Sequence, residues 1–95
     1  MDHPYCMQVL NRNGEAQHHL NEKYFHIEHV CKGGFRFLSD EKFELEDRIK
    51  VQLRFPNHDS QEVLGRICYS EDVDQRRKAY GFSVLKGFYS LHKHV

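Results

Sequence analysis

A chain of 95 residues with 39% hydrophobic and 13% aromatic content is one domain, residues 1–95, with enough apolar side chains for a small core. Its 14 Lys and Arg balance 14 Asp and Glu, so the basic excess of a protein that binds nucleic-acid polymers or an anionic bilayer is missing. No apolar run nears the ~20 residues that span a bilayer, and three irregularly spaced cysteines, Cys6, Cys31 and Cys68, do not read as a disulfide framework. The opening Met1-Asp2-His3-Pro4 lacks the basic and apolar regions of a signal peptide. A cytoplasmic, soluble domain with reduced thiols is expected, with neither a membrane nor a nucleic-acid polymer as partner.

In chain order, residues 5–10 alternate with Tyr5, Met7 and Val9 on one side, and Asn11-Arg12-Asn13-Gly14 ends them in a tight turn. Residues 24–30 form the next candidate strand, with Phe25 and Ile27 pointing one way. Gly33-Gly34 breaks it, a backbone kink that calls for positive φ, and Phe35-Arg36-Phe37-Leu38 resumes it. From 48 to 55, Ile49, Val51, Leu53 and Phe55 alternate with Lys50, Gln52 and Arg54, giving a strand with one dry and one wet face. The turn formers Pro56-Asn57-His58-Asp59-Ser60 stop it. Residues 62–69 carry Val63, Ile67 and Tyr69, and Gly65 among them marks a bulge or sharp bend. A polar loop over 70–78 leads into 79–85, where Tyr80, Phe82 and Val84 share a face. Only the tail has helical spacing, with Phe88, Leu91 and Val95 at i, i+3 and i+7, which predicts a short packing helix. Six short strands with turns about every 8–12 residues predict an all-β fold, a small six-stranded antiparallel β-barrel.

The order of these features resembles the PilZ family. His29-Val30-Cys31-Lys32-Gly33-Gly34-Phe35 is similar to that family's signature, which reads Asp or Asn, any residue, Ser, two of any kind, then Gly. The alternating strand ending at Pro56, the step Gly65-Arg66-Ile67 and the aromatic-glycine-aromatic run Tyr80-Gly81-Phe82 follow in the family's order, so the resemblance covers about residues 4–88. It implies a β-barrel that binds cyclic di-GMP with an Arg-x-x-x-Arg motif ahead of the first strand and with the Asp/Asn and Ser of the signature. Guanidinium groups suit that ligand because they fork onto phosphate oxygens and guanine edges and stack on bases.

At those positions the chain departs from the family. Its seven arginines, Arg12, Arg36, Arg48, Arg54, Arg66, Arg76 and Arg77, include no pair four apart, and the few residues ahead of the first predicted strand leave no room for the motif. His29 stands at the Asp/Asn position, Cys31 at the Ser position, and Gly34 is kept. The ligand positions carried over are therefore His29, Cys31 and Gly34, with Arg12 and Arg36 as candidate substitute arginines. Cyclic di-GMP is expected to bind weakly or not at all, and no cofactor is assigned. By resemblance, the chain reads as a non-enzymatic bacterial regulatory or adaptor module. It would work through a protein partner in cyclic di-GMP-linked processes such as motility or surface behaviour. One alternative is that Arg12 or Arg36 preserves cyclic di-GMP binding.

Other residue patterns give weaker signals. Eight histidines include His18-His19, His26 with His29, and His92 with His94, but no Cys-x-x-Cys accompanies them, and residues three apart on a strand point to opposite faces. No metal site is assigned. His29 and Cys31, two apart on one strand face, are the pair that can meet a common ligand, which leaves a small metal- or redox-responsive protein as a further alternative. Cys31 beside His29, Lys32 and Gly33-Gly34 is the one conceivable nucleophile, yet no third group orients it, and no catalytic residue is assigned. Arg76-Arg77-Lys78 sits beside Glu71, Asp72 and Asp74 and reads as a solvated loop.

Overall fold

Each alternating segment becomes a strand whose apolar face turns inward. The computed structural model describes residues 4–31, 33–56 and 60–86. They form β1 (Cys6–Arg12), β2 (Glu15–Ala16), β3 (Phe25–Cys31), β4 (Gly34–Ser39), β5 (Arg48–Arg54), β6 (Gln61–Asp72) and β7 (Lys78–Lys86), with one helical turn, α1 (His18–Asn21). The predicted tail helix lies outside the described residues. Neighbouring strands follow the order β1-β3-β4-β7-β6-β5, all antiparallel, and β5 pairs back onto β1. The result is the closed six-stranded antiparallel barrel. The two-residue β2 pairs only with the end of β1, through a turn in which Asn13 (φ 52°) and Gly14 (φ 85°) both take the left-handed conformation that an Asn-Gly hairpin favours. No helix among the described residues is long and apolar enough to cross a membrane.

The interior is apolar and rich in aromatic rings. Met7, Val9, Ile49, Val51, Leu53, Val63 and Ile67 line one side, and Phe25, Phe35, Phe37, Tyr80 and Phe82 fill the other. Phe35 stacks on Phe82 with ring centroids 4.6 Å apart, and Phe43, from the β4–β5 connection, packs edge-on against Phe37 and Tyr80. Burying each such side chain contributes about 1.5–3 kcal/mol. The Phe43 N–H also donates to the Tyr80 hydroxyl at 3.1 Å, so the one buried phenol among the described residues is satisfied. Gly65 faces inward where an added Cβ would run into the Phe82 ring, and the β6–β7 register shifts at Leu64/Gly65, where the sequence calls for a bulge.

Four features depart from the sequence reading. The helical turn α1 is too short to leave a periodic signal; its buried Leu20 joins the core, and the Gln8 side-chain amide donates to the Asn21 carbonyl. Tyr5 lies just before β1 and is 51% exposed, although its N–H donates to the Arg54 carbonyl and its carbonyl accepts the Ile27 N–H. The predicted loop 70–78 shrinks to 73–77, since β6 and β7 stay paired out to Asp72 and Lys78. Both faces of β6 are wet over that stretch, which erases the alternation that marks a strand. Finally, Ile67 and Tyr69 oppose the adjacent residues Phe82 and Gly81, so the extra residue Cys68 makes a bulge that sends Ile67 inward and Tyr69 outward.

A polar clasp joins the β1–β2 turn to the β4–β5 connection. Buried Asp47 accepts from the Glu44 N–H (2.8 Å) and the Asn13 side-chain amide (3.0 Å), and it pairs with Arg12 Nη2 at 2.6 Å. Arg12 also donates to the Lys42 carbonyl and lies 5.4 Å from the Phe43 ring centre. Burial alone would raise the Asp47 pKa, but the Glu44 N–H, the Asn13 amide and the Arg12 guanidinium outweigh it and hold the carboxyl below its ordinary value. Removing the carboxylate strands these donors, so Asp47→Ala should cost about 1–3 kcal/mol at neutral pH, measured by urea unfolding. The folded pKa is depressed, so this contribution is complete above the ordinary value of about 3.9 and is lost as pH falls through the lower folded value. The gap between wild type and Asp47→Ala should therefore narrow in acid.

Candidate functional site

The β3–β4 hairpin departs from regular pairing where the signature-like segment begins. Pairing runs from Ile27↔Phe37 and Glu28↔Arg36 to Cys31↔Gly34, with a register shift between Glu28 and Cys31. Inside that shift His29 sits at φ 52°, a left-handed conformation that His, Asn and Asp adopt more readily than most side chains. Of the two glycines expected to kink the chain, Gly33 takes the positive φ, at 93°, and its carbonyl accepts the Val84 N–H at 2.9 Å. Gly34 has ordinary backbone angles and is required for a different reason: a Cβ there would run into the Phe82 carbonyl oxygen of β7.

On the outer wall, Glu28, Arg36, Gly81 and Tyr69 lie in register across β3, β4, β7 and β6. Tyr69 is 42% exposed, and its ring covers Gly81, where any Cβ would collide with it. Beside this ring opens a concavity of about 420 Å³ bordered by His29, Cys31, Gly34, Arg36, Cys68, Tyr69 and Gly81. Three of the carried-over positions, His29, Cys31 and Gly34, thus share one site with Arg36. Arg12 does not; it is engaged in the Asp47 clasp.

Arg36 is the one guanidinium bordering this concavity, and two carboxylates already hold it. Its Nε donates to Glu28 Oε1 at 2.8 Å, and its Nη1 donates to Glu71 Oε2 at 2.9 Å. Partial burial alone would lower the guanidinium pKa, but Glu71 and then Glu28 outweigh it and raise the value. The side chains of Arg36 and Glu28 are only 24% and 29% exposed, whereas Glu71, outside the lining of the concavity, is 58% exposed. Two carboxylates against one guanidinium leave a surplus negative charge.

His29 and Cys31 are both exposed at this rim, but the bulge between them replaces the strand alternation that would set them side by side on one face. Among the described residues, no group of three or more His, Cys, Asp or Glu side chains can hold a metal ion. Cys68, which sequence reasoning did not single out, reaches the same concavity through the β6 bulge. The third thiol, Cys6, lies elsewhere; burial pushes its pKa up, with Arg54 opposing.

A second, larger cleft of about 770 Å³ lies between the start of β3, the end of β4 and the β6–β7 loop, lined by Tyr24, His26, Asp40 and Arg76 among others. Asp74 organises that loop by accepting from the Arg76 and Arg77 N–H groups and pairing with the Arg77 side chain, and Lys23 holds Asp40. The basic run of the loop is thus largely neutralised by its own neighbours, as Lys78 also meets Asp72.

Backbone geometry makes the hairpin testable. A β-branched residue is strained at φ 52°, so His29→Val should lower stability by about 1–2 kcal/mol, while His29→Asn should be nearly neutral. Gly34→Val forces β4 and β7 apart and should cost about 1–3 kcal/mol, both changes being read as shifts in Tm or urea midpoint.

No protein-family model matches the chain, and no curated protein or solved structure matches it, so its function is argued from the barrel and its outer wall.

Proposed function

We propose that this chain is a non-enzymatic, PilZ-like regulatory module of the bacterial cytoplasm that acts by protein contact in cyclic di-GMP-linked signalling, such as motility or surface behaviour. The barrel fits that reading, and so does the placing of His29, Cys31 and Gly34 at one outer-wall concavity. Left-handed His29 adds support, because the family's Asp or Asn at this position is a residue type that tolerates the same backbone.

The single observation that favours protein contact over nucleotide binding is the state of Arg36. Its guanidinium, the natural partner for a phosphate or a guanine edge, is already bonded to Glu28 and Glu71. A dianionic ligand would have to compete with both carboxylates for this guanidinium and lie beside them. Arg12, the other candidate, is bound to Asp47 at a different place on the barrel.

Calorimetric titration with cyclic di-GMP tests this directly. Loss of two arginine forks at about 1–3 kcal/mol each removes roughly two to four decades of affinity, so the dissociation constant should be weaker than about 100 μM. A second reading, retained cyclic di-GMP binding through Arg36, is favoured by the presence of that residue at the concavity. Tight, saturable heat that Arg36→Ala abolishes would establish this second reading in place of the first.

A further inference from the structure

We propose that the edge of β6 over residues 68–72 pairs with the same edge of a second copy of this chain, forming an antiparallel two-fold dimer. This association goes beyond the regulatory reading and does not depend on it. The barrel is closed along most of its height, but β6 outruns its neighbour on one side. Pairing with β5 ends at Arg48↔Arg66, and one further step follows, in which Ile67 accepts from the Glu46 N–H and donates to the Asp47 carbonyl. Past it, residues 69–72 stay paired with β7, while no described residue pairs with the other side of residues 68–72. All five are exposed. An uncovered row of backbone N–H and C=O groups is a template for another strand. Large apolar side chains flank this edge. Tyr69 stands on it, Val73 follows its last residue, and Leu45 precedes the Glu46 that bonds Ile67; they are 42%, 42% and 59% exposed. The order of residues along the edge makes it complementary to itself in one register. Facing residues of a two-fold antiparallel pair lie on the same face of the sheet, so the axis passes through a residue. At Glu71 or Asp72 it would set two carboxylates directly opposite, which destabilises a pair. At Cys68 or Tyr69 it would draw in Ile67, whose backbone groups are already taken. At Ser70 two small hydroxyls meet, Tyr69 faces Glu71 of the second copy and Asp72 faces Cys68, so no like charges are opposed. A strand held in a barrel is already ordered, and it pairs without the entropy that an extended peptide would lose. So short a pairing falls below the roughly 20–30 residues per partner of stable complexes, so the dimer is weak and forms as concentration rises.

Sedimentation of the reduced full chain from micromolar to millimolar concentration tests the pairing, together with backbone amide signals in nuclear magnetic resonance over the same range. The apparent mass should rise toward that of a dimer, and the signals of residues 68–72 should move with concentration while the rest of the barrel stays still. Ser70→Lys sets two ammonium groups across the axis and should weaken the association several-fold. Ser70→Cys, with the exposed Cys31 and Cys68 changed to Ser, should form a disulfide-linked dimer on mild oxidation, because residues directly opposite in an antiparallel pair lie at disulfide distance. Gln75→Cys in the same background, in the loop beyond the edge, should stay monomeric. An unchanged melting temperature verifies that each variant is folded, and the wild-type concentration series stands without them. A monomer up to millimolar concentration overturns the proposal and leaves the edge to an extended segment of another protein. So does self-association that moves other signals, ignores Ser70→Lys, or cross-links Gln75→Cys as readily as Ser70→Cys.

Discussion

The double hold on Arg36 governs what the outer wall can do. Its guanidinium reaches Glu28 on β3 and Glu71 on β6, so a single side chain ties together strands that are three places apart in the barrel. Gly81, set in register between Arg36 and Tyr69, contributes no side chain to separate them. Bound in this way, Arg36 can serve a phosphate only in competition with Glu28 and Glu71. The same two contacts weaken the case for a nucleotide at this wall.

Stability and recognition are divided between separate parts of the molecule. The interior is an aromatic and aliphatic core whose rings meet edge-on or stacked, and it carries none of the proposed recognition chemistry. Arg12 belongs with that structural part: with Asp47, Asn13 and Phe43 it fastens the β1–β2 turn to the β4–β5 connection. Two arginines that look equivalent in the sequence thus have different duties. One closes the fold, and the other sets the charge of an exposed wall.

How far these features can be read from the sequence depends on how local their causes are. Ile49, Val51 and Leu53 announce β5 because alternation is a property of adjacent residues, and Gly33-Gly34 announces the β3–β4 turn because positive φ and close approach select glycine. The outward face of Tyr69 is hidden in the sequence, since one extra residue, Cys68, reverses the face on which every later residue of β6 falls. The partners of Arg36 are hidden for a related reason: Glu71 lies 35 residues away and meets it only through the register of β4, β7 and β6. The left-handed backbone at position 29 did leave a trace, in a histidine where the family resemblance has Asp or Asn. It could be recognised as a backbone requirement only once the bulge was known.

The state of the Arg36 guanidinium is the most direct test of the account. Nitrogen-detected magnetic resonance of the arginine side chains reports whether an Nε–H is bonded to a carboxylate or exchanging with water. The account predicts that Arg36 gives a separate, slowly exchanging Nε–H signal near neutral pH and that Glu28→Gln moves it. Arg48 and Arg76, whose side chains are exposed, should give water-exchanged signals for comparison. An Arg36 signal that coincides with those two and ignores the Glu28 substitution would contradict the account, because the guanidinium would then be free to take an anion.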